Sequence, residues 1–279
     1  MVGAIELYNA ALAKLKNAGL EDPRADANVL FETACGIRRS QAFRDTTVSD
    51  DAAERLRALV GRRISGEPLQ YIVGRWPFLD FELEVGEGVL IPRPETEQLA
   101  ETASDFLKTR RQPSALDLCS GTGCIPIAIK RAVPQCDVTA VELDDAAFCY
   151  LARNTAACAP EIKTVSGDAL HYYSRLADSS LDCITSNPPY LTPDEYDGCA
   201  ELEHEPRLAF VGGRDGLDFY RAIAPAYLSK LKSGGMLIFE IGDTQGAAVS
   251  DIMTGAGYER VLIKKDIFGL DRIALGYRP

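Results

Sequence analysis

The segment "ALDLCSGTGC", residues 115–124, passes from an apolar run into a turn that contains two glycines. The run predicts a buried strand, and Gly121 and Gly123 allow backbone N–H groups to approach a ligand at the start of a following helix. Such a turn also serves as a plain strand-to-helix connection. It lacks the Lys-Ser/Thr pair of a triphosphate-binding loop. Asp117 favours a ligand that carries positive charge, because a carboxylate repels phosphate and attracts ammonium or sulfonium groups.

Short apolar runs alternate with helical patterns from residue 96 onward. The runs are residues 114–119, 137–143, 162–167, 181–186, 236–242, 260–267 and 272–278. Apolar runs separated by helices predict an α/β fold, with a Rossmann-like, doubly wound and mostly parallel seven-stranded sheet. Only "FGLD" separates the last two runs, so the last two strands should form an antiparallel hairpin.

The chain before this region has helical periodicity. Ile5, Tyr8 and Leu12 predict a first helix, and "EDPRADANVLFETACG" and "SDDAAERLRALVGRR" predict two more. We therefore expect a small helical domain over residues 1–74.

Residues 77–91 change to a period of two. Phe81, Leu83 and Val85 alternate with polar residues, Gly86-Glu87-Gly88 resembles a turn, and apolar residues resume at 89–91. This pattern predicts a β-hairpin with its turn at residues 86–88. We expect the segment 75–95 to link the helical domain to the sheet domain at residues 96–279.

The composition restricts the function classes. Forty-one acidic and 30 basic residues give a formal net charge of −11, which opposes attraction to nucleic acids or anionic membranes. No apolar run reaches the roughly 18 residues that span a bilayer, and the first residues lack a signal-peptide core, so we expect a cytoplasmic protein. The eight cysteines show no CxxC spacing and the two histidines no ligand spacing, so we expect no metal.

Two more acids follow predicted strands. Glu142 in "AVEL" comes 19 residues after Gly123, about the interval at which a dinucleotide fold presents an acid to ribose hydroxyls. Asp168 in "SGDAL" could accept a hydrogen bond from an adenine amino group, beside the backbone of Ala169. Each acid alone could be an exposed loop residue. With Asp117, however, they follow strands one, two and three, and together they predict a binding site where the strand order reverses.

The fourth strand ends in "SNPPY", residues 186–190. Pro188 biases Asn187 toward an extended backbone, and Pro189 fixes the next φ angle. The Asn187 amide oxygen and the Pro188 carbonyl could then hold both N–H groups of a planar NH₂. Tyr190 could pack on that planar group or face a cationic methyl donor. The alternative is a plain Asx-Pro turn after a strand.

Together these motifs resemble S-adenosylmethionine-dependent methyltransferases of planar amino groups, a class that includes DNA and RNA adenine methyltransferases. Further segments are similar to the HemK/PrmC family, the release factor glutamine methyltransferases: "GEPLQYIVG", "VLIPRPETE", "EPRLAFVGGRDGLDFYRAI", "LKSGGMLIFEIG" and "FGLDRIALG". The resemblance runs from about residue 66 to the end, and the N-terminal helices are similar to that family's small domain. It implies methyl transfer from S-adenosylmethionine to the GGQ glutamine of peptide chain release factors.

The resemblance also implies roles for individual residues. The methionine part of the cofactor would lie against Asp117, Cys119, Ser120, Gly121, Thr122 and Gly123. The ribose of the cofactor would bind Glu142, and its adenine would lie beside Asp168 and Ala169. Asn187 would also contact the cofactor. The target amide would be held by Asn187, Pro188, Pro189 and Tyr190, of which Asn187, Pro188 and Tyr190 would be catalytic. The loop from Ile91 to Glu97, with Arg93 and Glu95, would close over both, and the helical domain would help to recognise the protein substrate.

This sequence departs from the family pattern at three positions. The family usually has glycine where Cys119 stands, so we expect an ordinary backbone conformation there. Glu142 replaces the commoner aspartate, and Glu95 stands where aspartate is frequent. Each substitution keeps the chemical groups that the reaction requires.

Three rival functions share some of these features. A nucleic-acid adenine methyltransferase would use the same "NPPY" chemistry, but the net charge of −11 opposes it, and we expect no stable nucleic-acid binding. A ribosomal-protein glutamine methyltransferase is a closer rival, which "IPRPETE" disfavours. A catalytically idle cofactor-binding protein would not need the intact "NPPY" motif.

Overall fold

A computed structural model describes residues 1–42 and 46–279, and the chain divides into two units, Met1–Arg75 and Trp76–Pro279. The elements of the first unit are β1 (Val2–Gly3), α1 (Ala4–Asn17), α2 (Pro23–Cys35), β2 (Thr47–Val48), α3 (Asp50–Ile64) and α4 (Leu69–Val73). β1 and β2 pair antiparallel. The N-terminal helical region is therefore confirmed, and its two short strands were not predicted.

The ends of α2 and α3 follow from local sequence. The Asp22 carboxylate accepts a hydrogen bond of 3.0 Å from the Ala25 N–H, and Gly36 ends α2 with a left-handed φ of 69°. Ser49 caps α3 through a 3.1 Å bond from the Ala52 N–H. Buried apolar side chains on the two helices form the centre of the unit: Ala27, Leu30, Phe31, Ala53, Leu56 and Val60.

The hairpin between helices and sheet lies earlier than predicted. It consists of β3 (Arg75–Phe78) and β4 (Phe81–Glu84), and its turn contains Leu79 with a φ of 50°. The predicted turn at residues 86–88 is wrong as a hairpin turn, because residues 89–91 form no strand. The Val89 N–H bonds back to the Gly86 carbonyl at 3.3 Å instead of crossing to a partner strand.

The second unit continues with α5 (Pro94–Lys108), β5 (Ser114–Leu118), α6 (Cys124–Ala132), β6 (Asp137–Glu142), α7 (Asp145–Cys158), β7 (Lys163–Ser166), β8 (Leu181–Ser186), α8 (Pro193–Asp197), α9 (Asp218–Tyr227), β9 (Leu231–Glu240), α10 (Gly246–Gly255), β10 (Glu259–Lys265) and β11 (Asp271–Tyr277). Seven strands form one sheet in the order β10-β11-β9-β8-β5-β6-β7. The five strands from β9 to β7 run parallel, and β11 pairs antiparallel with both β9 and β10. The predicted Rossmann-like sheet and its last hairpin are confirmed.

Alternate residues of the strands face opposite sides of this sheet. On β5, Ala115 belongs to one buried apolar cluster, with Leu99, Leu107 and Ile127. Leu116 belongs to the other, which includes Tyr220, Tyr227 and Phe239. Helices thus cover both faces of the sheet, which leaves the ends of the strands accessible to a ligand. Across residues 1–42 and 46–279, no helix combines the length and apolar character needed to span a membrane.

Candidate active site

A cavity lies at the carboxyl ends of β5, β6, β7 and β8, and its lining is mostly apolar with a few polar groups, as is typical of small-molecule sites. The predicted site residues that line it are Cys119, Gly121, Glu142, Asp168, Ala169, Asn187 and Pro189. The lining also includes residues 88–90, Pro206, Leu208 and Ala209, together with Ala147 of α7 and Phe219 of α9. The site is therefore built from strand ends, two connecting segments and side chains of α7 and α9.

The glycine-rich turn takes left-handed conformations at alternate residues. The φ angles are 59° at Cys119, 51° at Gly121 and 87° at Gly123. A Cβ atom at Gly123 would come 2.8 Å from Leu151 Cδ1, so a side chain there would have to displace Leu151 as well as adopt a left-handed backbone conformation. The expectation of an ordinary backbone at Cys119 is wrong: the chain reverses between β5 and α6 over five residues, and this reversal imposes a positive φ that strains a residue with a side chain.

Two further residues of this turn are buried and make structural bonds. The Ser120 N–H bonds to the Val141 carbonyl at 3.1 Å, and the Ser120 hydroxyl bonds to the Asp117 carbonyl at 3.2 Å. The Thr122 carbonyl accepts a 2.9 Å bond from Asn154 Nδ2 on α7. These bonds fix the turn against β6 and α7, which holds its backbone N–H groups in place.

The Asp117 carboxylate is fully buried at the end of β5. Its Oδ1 accepts a 2.6 Å hydrogen bond from the Thr185 hydroxyl, whereas its Oδ2 has no hydrogen-bond partner among the residues that the structure describes. Burial raises the pKa of Asp117 to about 7, and the nearby Glu142 charge adds to the rise. A cationic ligand group would stabilise the ionised carboxylate.

Glu142 bends back over the glycine-rich turn. Its Oε2 accepts a 2.8 Å bond from the Gly121 N–H, and its Oε1 accepts bonds from the N–H groups of Leu143 and Asp144 at 2.8 and 2.9 Å. Burial raises the pKa of Glu142, and these three donors oppose the rise. Because a carboxylate has about four lone-pair positions, one position on Oε2 remains for a ligand hydroxyl.

Asp168 is partly engaged by its own loop. Its Oδ1 accepts a 2.8 Å bond from the Leu170 N–H, and its Oδ2 lies 2.7 Å from Nδ1 of the exposed His171. The neighbouring Ala169 is buried, and its carbonyl accepts a 2.6 Å bond from the Tyr227 hydroxyl. His171 lies outside the cavity lining.

Asn187 is bonded to a buried pair, Thr96 from the segment 91–97 and Glu240, which the sequence did not single out. Its Nδ2 donates to Thr96 Oγ1 at 3.3 Å, and Thr96 Oγ1 donates to Glu240 Oε2 at 2.7 Å. Thr96 and Glu240 are only 2% and 1% exposed. Glu240 ends β9, so the strand-end argument that selected three other acids could have selected it as well.

The backbone after Asn187 is held by a glycine-containing loop. Gln245 Nε2 donates a 2.8 Å bond to the Tyr190 carbonyl, and the Gly212 N–H donates a 2.9 Å bond to the Leu191 carbonyl. A Cβ atom at Gly212 would lie 2.3 Å from the Pro189 carbonyl oxygen. Pro188 and Pro189 are buried, and Tyr190 is half-buried against the core, where burial raises its phenol pKa. The "NPPY" segment is therefore rigid on its protein side.

Arg93 and Glu95 lie at the start of α5, outside the cavity lining. The Arg93 guanidinium pairs with the buried Glu205, whose other oxygen accepts a 2.8 Å bond from the Ile91 N–H. Glu95 is half-buried in the first helical turn. The expected loop from Ile91 to Glu97 is thus loop only as far as Arg93, because Pro94 begins a helix.

No group of three or more His, Cys, Asp or Glu side chains within residues 1–42 and 46–279 is arranged to hold a metal ion. The site offers carboxylates, an amide and backbone groups around an apolar cavity. This set suits an organic ligand with hydroxyl, amino and positively charged groups.

Comparison with known proteins gives two family matches. Residues 6–74 match the family described as PrmC N-terminal domain, and residues 97–201 match the one described as Methyltransferase small domain. The release factor glutamine methyltransferase of Streptomyces coelicolor is 39% identical over 249 residues, which cover 88% of this chain and 86% of that protein. This chain belongs to the release factor glutamine methyltransferase family. The Moorella thermoacetica member is 34% identical over 274 residues, which cover 96% of each chain.

Solved structures support the fold of this family member. A methyltransferase from Pyrococcus furiosus has a TM-score of 0.52 at 20% identity and covers 81% of this chain and 98% of its own. The hMettl16 catalytic domain in complex with MAT2A 3′UTR hairpin 1 has a TM-score of 0.56 at 16% identity and covers 95% and 90%. The resemblance to the HemK/PrmC family is confirmed, and the chain has a methyltransferase fold.

Proposed function

We propose that this enzyme transfers a methyl group from S-adenosylmethionine to the side-chain amide nitrogen of the glutamine in the GGQ motif of peptide chain release factors. The observation that carries the proposal is the orientation of Asn187. Its NH₂ group is engaged by Thr96, so its oxygen is the atom left to accept a hydrogen bond from a target NH₂ at the cavity. Membership of the release factor glutamine methyltransferase family supplies the substrate class.

The residues around the cavity fit the cofactor. S-adenosylmethionine supplies an electrophilic methyl group on a positively charged sulfur when it is bound. Asp117 lies outside the cavity lining, and its buried Oδ2, which lacks a partner among the described residues, would attract the cationic part of the cofactor. The open lone-pair position of Glu142 Oε2 suits a ribose hydroxyl, and Asp168 and Ala169 suit the adenine edge. The turn from Cys119 to Gly123, with Ser120 and Thr122 behind it, would hold the methionine part.

The chain's own residues would assist the reaction by hydrogen bonding. An amide nitrogen is a poor nucleophile because its lone pair is delocalised into the carbonyl group. The Asn187 amide oxygen and the Pro188 carbonyl would accept hydrogen bonds from the two N–H groups of the target amide. These bonds would stabilise the nitrogen when it leaves the amide plane and becomes reactive. Pro189 and Tyr190 would pack beside the target. The methylated nitrogen would carry an extra, strongly acidic proton, which water can take directly. The reaction therefore needs no catalytic histidine.

We also propose separate tasks for the parts of the chain. Residues 1–74 would help to recognise the release factor, 75–95 would link the two domains, and 96–279 would bind cofactor and perform methyl transfer. Arg93 and Glu95, at the start of α5, would contact the protein substrate. Release factors act on ribosomes, so we propose the cytoplasm as the site of action.

The test is transfer of labelled methyl from S-adenosylmethionine to a purified bacterial release factor. A release factor whose GGQ glutamine is changed to alanine is the matched control. We expect label in the first protein and none in the second. Equal labelling of both, or labelling of a ribosomal protein or of nucleic acid in place of the release factor, would contradict the proposal.

A further inference from the structure

We propose that Thr96 and Glu240 are positioning residues that determine which atom of the Asn187 amide faces the substrate, and that ionisation of Glu240 controls this choice. The inference rests on the proposed function for its kinetic consequence, but not for its structural part. Thr96 lies in the first turn of α5 and Glu240 at the end of β9, so the sheet and its covering helix meet at Asn187. Neither residue lines the cavity.

The Thr96 hydroxyl has a single proton to donate. Thr96 Oγ1 lies 2.7 Å from Glu240 Oε2 and 3.3 Å from Asn187 Nδ2. An ionised carboxylate can only accept, so it takes the hydroxyl proton. The oxygen of Thr96 can then only accept from Asn187, which must present its NH₂ group. As a consequence the amide oxygen faces the other way, toward the target.

Protonation of Glu240 removes this constraint. A neutral carboxyl group donates its own proton to Thr96 Oγ1, and the hydroxyl proton of Thr96 becomes free to point at Asn187. The amide then turns its oxygen to Thr96 and its NH₂ group to the cavity. An NH₂ group facing the target NH₂ places donor against donor, which disfavours binding of the target in its reactive geometry.

The surroundings of Glu240 bring its protonation into the neutral pH range. Glu240 is 1% exposed, and burial raises its pKa to about 7. The Thr96 hydroxyl and the Arg272 charge oppose the rise. Charged and polar groups from several elements interact with Glu240. They are Arg93 just before α5, Glu95 and Thr96 of α5, Tyr190 of the "NPPY" segment, Cys124 of α6, Tyr220 of α9 and Arg272 of β11. Both charge states are therefore populated near pH 7.

The structural part can be tested without any substrate. The chain has only five asparagines, namely Asn9, Asn17, Asn28, Asn154 and Asn187. Selective ¹⁵N labelling of asparagine would give one side-chain NH₂ signal pair for each, and Asn187→Ala would assign the pair of interest. Asn154 is an internal control, because its buried NH₂ binds the carbonyls of Glu84 and Thr122 instead.

We expect the Asn187 NH₂ signals of the full-length protein to shift with pH between about pH 5.5 and about pH 8.5, with a midpoint near the Glu240 pKa. Glu240→Gln and Thr96→Val should abolish this titration, and the Asn154 signals should stay constant. Asp117 is unchanged in both variants. A titration that persists in Glu240→Gln, or Asn187 signals that do not respond to pH in the parent, would overturn the proposal.

The kinetic part uses the release factor at saturating concentrations of both substrates. We expect Thr96→Val to lower kcat on the order of 10²-fold, the loss typical of a misplaced reacting group, with little change in KM. Thr96→Ser keeps the hydroxyl and should restore most of kcat. The matched control is Ser104→Ala, which removes another buried hydroxyl of α5 that bonds only to the Ala100 carbonyl in the described structure.

The parent kcat should rise with pH through about pH 7, since the ionised form of Glu240 is the competent one, and Glu240→Gln should lack this rise. A pH-dependent Asn187 signal with an unchanged kcat in Thr96→Val would overturn the kinetic part. If the parent does not methylate the release factor at all, the proposed function fails, while the NMR titration still decides whether Thr96 and Glu240 orient Asn187.

Discussion

The carboxylate of Glu142 accepts a 2.8 Å hydrogen bond from the backbone N–H of Gly121, which joins the end of β6 to the glycine-rich turn after β5. The same carboxylate also accepts the N–H groups of Leu143 and Asp144. Glu142 therefore has two tasks. It holds the turn in its left-handed conformation and it leaves one acceptor position toward the cavity.

We predict that Glu142→Ala weakens binding of S-adenosylmethionine by about 1.5 to 3 kcal/mol, the scale of a hydrogen bond to a charged group. Isothermal titration calorimetry of the two proteins measures the difference. Glu161→Ala removes an exposed glutamate before β7 and is the matched control. An unchanged dissociation constant in Glu142→Ala would show that this carboxylate does not hold the ribose.

A second prediction concerns the support behind the "NPPY" segment. A Cβ atom at Gly212 would lie 2.3 Å from the Pro189 carbonyl oxygen and 3.0 Å from the Gly216 carbonyl oxygen. Gly212→Ala must therefore displace Pro189, and we expect kcat to fall on the order of 10²-fold, with cofactor affinity less affected. Single-turnover methyl transfer measures this loss.

The control for this prediction is a glycine with free space. A Cβ atom at Gly255, the last residue of α10, meets no atom within 4 Å, and alanine is a better helix former than glycine. Gly255→Ala should leave methyl transfer unchanged. Equal rates in Gly212→Ala and the parent would mean that the segment does not need this rigid support.

Local pattern was sufficient for the sheet but not for the segment that follows the first hairpin. The strands were predicted because short apolar runs that alternate with helical patterns are typical of a mostly parallel sheet covered by helices. Residues 89–91 are apolar for a different reason: Val89 and Leu90 line the cavity, and the side chain of Ile91 is buried where its backbone N–H bonds to Glu205. That contact spans 114 residues, so periodicity could not distinguish this segment from a strand.

In the candidate site, too, some residues could be predicted from local pattern and others depend on long-range contacts. Glu142, Asp168 and Asn187 follow strands, and parallel strands bring their carboxyl ends together, so their shared cavity could be inferred from sequence order. Thr96 contacts Asn187, 91 positions away in the sequence, and Gln245 contacts Tyr190, 55 positions away. Such partners depend on how helices pack on the sheet, which no local pattern specifies.

A third prediction uses the buried Asp117. Burial raises its pKa to about 7 in the folded protein, well above the value of about 3.9 for an exposed aspartate. A raised carboxyl pKa means that the folded state binds the extra proton between these two values. Proton binding to Asp117 therefore stabilises the folded state. This stabilisation is complete below about pH 4 and is lost as the pH rises through about 7.

Asp117→Asn stays neutral at all these pH values and should keep an acceptor for the Thr185 hydroxyl. We therefore expect the ligand-free variant to have a higher Tm than the parent at about pH 8, and a smaller difference at about pH 5. Its affinity for S-adenosylmethionine should be lower, because the cation loses its counter-charge. Differential scanning calorimetry and titration calorimetry measure the two effects. A variant that is less stable than the parent at about pH 8 would contradict this account of Asp117.

A fourth prediction follows from the net charge of −11. Excess DNA or RNA should not compete with methylation of the release factor at moderate salt, because a protein of this charge gains little from counterion release. The assay is labelled methyl transfer with increasing amounts of duplex DNA and of RNA. Strong competition that weakens steeply as the salt concentration rises would support an adenine methyltransferase instead.

The last prediction concerns Asn187. If its amide oxygen holds one N–H group of the target mainly in the transition state, Asn187→Ala should lower the methylation rate by roughly 10² to 10³, the scale for losing one preorganised polar contact. Cofactor affinity should change little. Asn187→Asp is the informative companion, because it keeps an acceptor and removes the NH₂ group that binds Thr96.

Asn187→Asp also adds a negative charge near Asp117 and Glu240, both of which have a pKa raised to about 7 by burial. Mutual repulsion should raise the pKa of these carboxyl groups further. We therefore expect residual activity in Asn187→Asp, with its pH dependence moved to higher pH than in the parent. Single-turnover rates across the pH range measure both effects. If Asn187→Ala matches the parent, or if saturating cofactor removes its whole defect, then Asn187 is only part of a rigid turn at the end of β8.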